Sequence, residues 1–174
     1  KFESRDKKFK YQIGGRIMWD QAYFDADRTF KANNNEPQNG TEFRRARLFI
    51  SGLLYNHIKF KAQVDFAGQT SFKDVYLGLV KIPVIQNITF GHFKEPFSLE
   101  ELTSSKYITF MERSLMNAFA PGRNAGIAIY DSQAFDKRAT WAIGVFRPVG
   151  ETPPILNSDD GYHLTLRATA LPFY

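Results

Sequence analysis

The side chains of this sequence that could do chemistry together are basic, and they recur at every second position of short segments. Arg45 and Arg47 stand two apart, as do Lys59 and Lys61, while Arg16 and Arg167 lie in segments of the same alternating kind. Guanidinium groups stay charged and present several donors in one plane, so such a set suits the holding of an oxyanion. Fewer carboxylates share these positions, namely Asp20, Asp65 and Asp74. Catalytic constellations are weaker. His57, His92 and His163 are far apart, with no carboxylate or second histidine at ligand spacing, and there is no cysteine to supply a thiolate. The chain has no Walker-type glycine loop, no G-x-S-x-G turn and no zincin motif. Glu95, Glu100, Glu101 and Glu112 could supply a sugar-cleaving pair, yet nothing selects two of them. These residues point away from an enzyme and require neither cofactor nor metal.

The elements that must position the cations read as β-strands. In Ile58 to Phe66, one face takes Ile58, Phe60, Ala62, Val64 and Phe66, and the other takes Lys59, Lys61, Gln63 and Asp65. Helical spacing would scatter the two groups around a cylinder, whereas a period of two separates them. The same alternation runs through Lys10 to Tyr23, Arg44 to Tyr55, Phe72 to Lys81 and Gly161 to Ala170. Shorter apolar strands are expected at Gly122 to Tyr130 and Thr140 to Arg147, and a weaker one at Gln86 to Phe97, whose inward face is ambiguous. Eight strands result. The connections alternate between short turns, at Asn56-His57 and Ile82 to Ile85, and longer links at Ala26 to Thr41, Ser98 to Pro121 and Pro148 to Asp160. That asymmetry is typical of outer-membrane barrels, although Gly68 to Ser71 is short for its side. Ser98 to Pro121 is long and too apolar to lie free in water. It reads as a loop with helical stretches folded back onto other protein.

Composition agrees with strands near a membrane. Of 174 residues, Phe 17, Tyr 8 and Trp 2 make 16% aromatic, a class that strands and membrane interfaces both favour. The net charge of +5 is spread along the chain, which does not argue for nucleic acid. Lys1 to Lys10 is charged and carries no signal-peptide core, so the chain is expected to be mature, truncated or cytosolic. No run approaches the length of a spanning helix, which leaves a β-barrel open. From the pattern alone the polar faces could line a water-filled lumen or simply meet bulk water in a soluble sandwich.

A more specific signal comes from Phe43-Arg44-Arg45-Ala46-Arg47 and from Phe72-Lys73-Asp74-Val75-Tyr76-Leu77. It strengthens over Gly91-His92-Phe93-Lys94-Glu95-Pro96-Phe97-Ser98-Leu99-Glu100-Glu101-Leu102-Thr103-Ser104-Ser105-Lys106, and continues through Glu112-Arg113 to Pro121-Gly122-Arg123-Asn124. These runs resemble the phosphate- and polyphosphate-selective porins of Gram-negative outer membranes, over roughly residues 10 to 174. The resemblance implies a homotrimer of sixteen-stranded barrels embedded in lipid and lipopolysaccharide, each passing small anions such as phosphate or chloride. It implies that residues 1–174 form the N-terminal half of one barrel, ending in a periplasmic turn, with 98–121 as the loop that narrows the lumen. By residue match, the anion-binding constriction includes Arg44, Arg45, Asp74, Ser104, Ser105, Lys106 and Arg113. Arg16, Arg47, Lys59, Lys61 and Arg167 add to the pore lining. One departure stands out: Glu101 occupies a position where the phosphate-specific members carry lysine, and an unpaired carboxylate there would repel phosphate. A non-conducting outer-membrane scaffold or binding protein is the alternative function.

Overall fold

The computed structural model describes residues 1–25, 27–28, 39–149 and 161–173. Within them nine strands form one antiparallel sheet, each paired with its neighbour in sequence. The strands are β1 (Phe2–Glu3), β2 (Phe9–Ala22), β3 (Gly40–Leu54), β4 (Ile58–Asp65), β5 (Ser71–Ile82), β6 (Gln86–Lys94), β7 (Arg123–Gln133), β8 (Ala139–Arg147) and β9 (His163–Ala170). All eight expected strands are present. The ninth, β1, pairs Phe2 with Tyr11 and Glu3 with Lys10, and two residues are too few to display any period. β6 also stops at Lys94 rather than Phe97, because the Glu95 amide leaves the ladder for the carbonyl of Gly122 and Pro96 has no amide to offer. Between β3 and β4 the chain reverses through Tyr55 and Asn56, both at positive φ, the conformation that matches the twist of a hairpin.

Burial in this sheet is inverted relative to a soluble protein. Among the described residues only Ala128 and Phe146 are buried apolar residues, while eleven polar or charged ones are buried, Arg45, Asp65 and Glu101 among them. Ile17 is 73% exposed and Leu48 53%, yet their strand neighbours Arg16 and Arg47 are partly shielded. A protein dissolved in water gains by hiding its apolar face, at about 25 cal/mol per Å². This one presents that face outward, as a sheet bordered by hydrocarbon does. No helix among the described residues is long and apolar enough to cross a membrane. The nine-stranded antiparallel sheet is that of a porin barrel fragment.

The connection between β6 and β7 lies over the polar face. It contains one helical turn, α1 (Leu99–Leu102), opened by the Ser98 hydroxyl, which accepts from the Glu101 amide at 3.4 Å, and a 3-10 turn at Leu115–Phe119. The expected helical stretches are therefore present. Its apolar side chains are not buried by the described chain, however: Tyr107, Phe110, Leu115 and Phe119 are each about four-fifths exposed. The expected long links at Ala26 to Thr41 and Pro148 to Asp160 lie mostly outside the described residues.

Candidate functional site

Strand parity aims the cations at the loop. Arg16 on β2 sits opposite Arg47 on β3, and Arg47 opposite Asp65 on β4. All three therefore share the polar face. Arg44 needs a different explanation, since it neighbours Arg45 and simple alternation would turn it outward. The register slips here: Met18 pairs with Arg45, but the next residue, Trp19, pairs with Phe43. Arg44 is the extra residue of a β-bulge, which re-aims its side chain and shifts the pairing of Gly40 to Phe43 by one residue. Arg44 and Arg45 consequently both reach Glu112 of the loop, the former at 3.7 Å. Arg44 also binds Asp20 at 2.7 Å and donates to the Met111 carbonyl.

A cavity of about 410 Å³ lies between the loop and the polar face of β2 to β5. Of the residues expected at the site, it brings together Arg16, Arg47, Lys61, Asp74, Ser104, Ser105, Lys106 and Arg113. Arg44 and Arg45 stand beside it as ties to the loop and are not among its lining. Lys59 and Arg167 line an adjoining hollow. Two lining cations escaped the sequence reading, Lys94 and Arg123. Both lie at strand ends that flank the loop, where alternation no longer predicts direction. Their presence in the Gly91-to-Asn124 motif was the available signal.

The lining is strongly one-signed. Seven basic side chains (Arg16, Arg47, Lys61, Lys94, Lys106, Arg113 and Arg123) face a single carboxylate, that of Asp74. Asp74 is bridged by Arg123 Nε at 2.7 Å and by Lys61, and Asp65 takes Arg47 Nε at 2.5 Å. Arg16 donates to Ser104 at 3.4 Å and has no ion-pair partner among the described residues, and neither has the Lys106 ammonium. The Ser105 hydroxyl is buried and has no hydrogen-bond partner among the described residues, an arrangement that costs roughly 1–3 kcal/mol unless something completes it. No group of three metal-binding side chains is found among the described residues.

Glu101 does not add to the cavity's negative charge. It is buried against the β6 end of the loop, with Lys94 Nζ at 3.0 Å, Arg113 Nε at 3.7 Å and Asn117 donating at 2.9 Å. Burial works against its ionisation, but hydrogen bonds from Asn117 and Lys94 and the charges of Lys94 and Arg113 outweigh this and hold the carboxyl below its ordinary value. Arg113 is fixed further by the carbonyls of Glu100 at 2.8 Å and Thr103 at 2.6 Å. The carboxylate that looked hostile to an anion thus serves as an internal counter-ion for the loop.

Comparison with known proteins agrees with this geometry. Residues 11–174 match the family described as "Phosphate-selective porin O and P". The chain is also similar to Porin O of Pseudomonas aeruginosa, at 31% identity over 63% of this chain and 25% of Porin O. The matched region spans about a quarter of that relative's length. With the match covering nearly the whole sequence, from the second strand onward, this chain belongs to the phosphate-selective porin O and P family.

Proposed function

We propose that the chain supplies part of the wall and the constriction of a passive, anion-preferring pore in a Gram-negative outer membrane. In this reading residues 1–174 are the N-terminal half of a sixteen-stranded barrel, and 98–121 narrows its lumen. The observation that carries it is the cavity beneath the loop, where seven cations and an unpartnered serine hydroxyl converge against one carboxylate. A site so charged concentrates anions, and it still releases them because Arg47, Lys61 and Arg123 keep protein counter-ions when the site is empty. Phosphate and polyphosphate are the anions that best use several fixed donors, and chloride follows by charge alone. In the same reading it assembles as a homotrimer surrounded by lipid and lipopolysaccharide, an assembly that family membership supports. The exposed apolar side of the loop favours a second reading, in which the barrel is a non-conducting scaffold for another protein.

Reversal potential across a planar bilayer under a KCl gradient distinguishes the two. The full-length protein is expected to give a potential near the chloride value, with added phosphate blocking the chloride current. Arg16→Gln combined with Lys106→Gln should move the potential toward zero. A silent or cation-selective protein favours the scaffold instead.

A further inference from the structure

Beside the cation-lined cavity lies a second hollow of about 430 Å³ with a different chemistry, and the two share Asp74, Tyr76, Lys94 and Leu102 along their border. The first is walled by charge. The second is walled mainly by rings and methyl groups, Tyr76, Phe93 and Tyr130 surrounding a floor recessed by Ala128 and Ala142, with Asp131, Thr89, Ser132 and Thr140 at its polar margin. Ala128 is only 3% exposed and sits deepest, while Ala142 is partly exposed to the hollow. The ring of Phe93 meets Tyr76 edge-on, with centroids 6.0 Å apart at 76°, an arrangement that holds both rings in place.

Besides Lys94 at the shared border, two further cations bound this apolar floor. Lys59 Nζ lies 4.4 Å from the Tyr130 ring centroid and 5.6 Å from that of Tyr76, and it donates to the Tyr130 hydroxyl. It reaches there because Gly78, opposite it in the sheet, has no side chain. A Cβ at that position would fall 2.6 Å from Lys59 Cε and 2.4 Å from the Ile88 carbonyl oxygen. At the other end stands Arg167, partly shielded and with no hydrogen bond or ion pair among the described residues. An unpaired planar guanidinium next to an apolar floor is suited to stacking on a flat ring.

We propose that these adjoining hollows form one composite site for a phosphomonoester that carries a planar ring. The phosphate is held by the cations of the first hollow, and the ring lies in the second, over Ala128 and Ala142, between the tyrosines and Arg167. The proposal rests on the anion-pore reading for its phosphate half, and adds that the lumen discriminates by the body of the anion as well as by its charge. A wall built only for inorganic anions has no use for a recessed apolar floor, because burying apolar surface gives an inorganic ion nothing.

Block of the chloride current through the full-length protein in planar bilayers tests this with three probes: inorganic phosphate, methyl phosphate and phenyl phosphate. The two esters have the same charge and differ in the ring. Phenyl phosphate is expected to half-block at a concentration about tenfold below methyl phosphate, the advantage of burying part of one aromatic ring. Ala142→Leu, which fills the floor, and Arg167→Gln, which removes the stacking cation, should each bring that ratio toward one. Equal potency of the two esters in the unmodified protein would overturn the proposal, as would a ratio that both substitutions leave intact. Failure of inorganic phosphate to block is a separate result. It counts against the phosphate-binding constriction alone, since the comparison of esters is read on the chloride current itself.

Discussion

The Ser105 hydroxyl, buried in the cavity wall and without a hydrogen-bond partner among the described residues, is the clearest single group placed to donate to a bound anion. Its removal loses no hydrogen bond and relieves the cost of burying an unsatisfied hydroxyl. Ser105→Ala is therefore expected to raise stability to denaturant by about 1–3 kcal/mol while raising the half-blocking concentration of phosphate about tenfold, as the loss of one hydrogen bond to a charged group would. Asp74 predicts the opposite sign. It is the one carboxylate in the lining and sits between Lys61 and Arg123. Asp74→Asn leaves both cations without their counter-charge, so phosphate should block at a concentration about three- to tenfold lower and the current should recover more slowly on washout.

At the scale of the element, the loop is held by carboxylates of its own. Glu101 binds Lys94, Arg113 and Asn117, and Glu100 accepts from the hydroxyl and amide of Ser114, each at 2.6 Å. Both carboxyls sit below their ordinary value of 4.5 in the folded chain. Their contribution to holding the loop is thus fully present above pH 4.5 and is lost as pH falls through the lower, folded value. Open-channel current noise should stay flat from neutrality to pH 4.5 and rise below it, and Glu101→Gln should show the raised noise already at neutral pH. This loop also marks where the sequence stopped being legible. The strands could be read because Ile58 to Phe66 and Gly161 to Ala170 alternate without a break, and because two faces of opposite polarity admit only one register. The inward face of β6 could not, since Gly91 at φ +131° interrupts it and His92 and Phe93 suit either side. Arg44 was assigned to the site by resemblance alone, because a bulge leaves no periodic trace in a run of arginines. The pairing of Glu101 was equally hidden, since it joins residues from the strand end, the middle of the loop and the 3-10 turn.

For the whole molecule, the inverted distribution of apolar and charged residues has a measurable meaning. In the pore reading a charge introduced on the outward face meets hydrocarbon, while one on the inward face meets water and other charges. Leu48→Lys, in the outward row of β3, is expected to destabilise the folded protein in lipid vesicles by ~2–4 kcal/mol, whereas Gln12→Lys on the polar face of β2 should change stability by less than ~1 kcal/mol. Urea unfolding from vesicles of the full-length protein, followed by tryptophan fluorescence, provides the comparison. The same substitutions would rank in reverse if the polar face were packed against another protein, so the experiment also tests which side of the sheet holds water.

The bulge at Arg44 has a consequence beyond the aim of one side chain. A strand ordinarily offers one inward residue in every repeat of about 6.8 Å, but here two guanidinium groups share a single repeat and grip the same loop carboxylate, Glu112. The attachment is redundant. Arg44→Gln or Arg45→Gln alone should leave the loop resistant to protease, and only the double substitution should open it to cleavage, with an effect well above the sum of the two. Redundancy of this kind makes the fastening tolerant of error at either position, so sequence drift at one arginine can proceed while the loop stays closed.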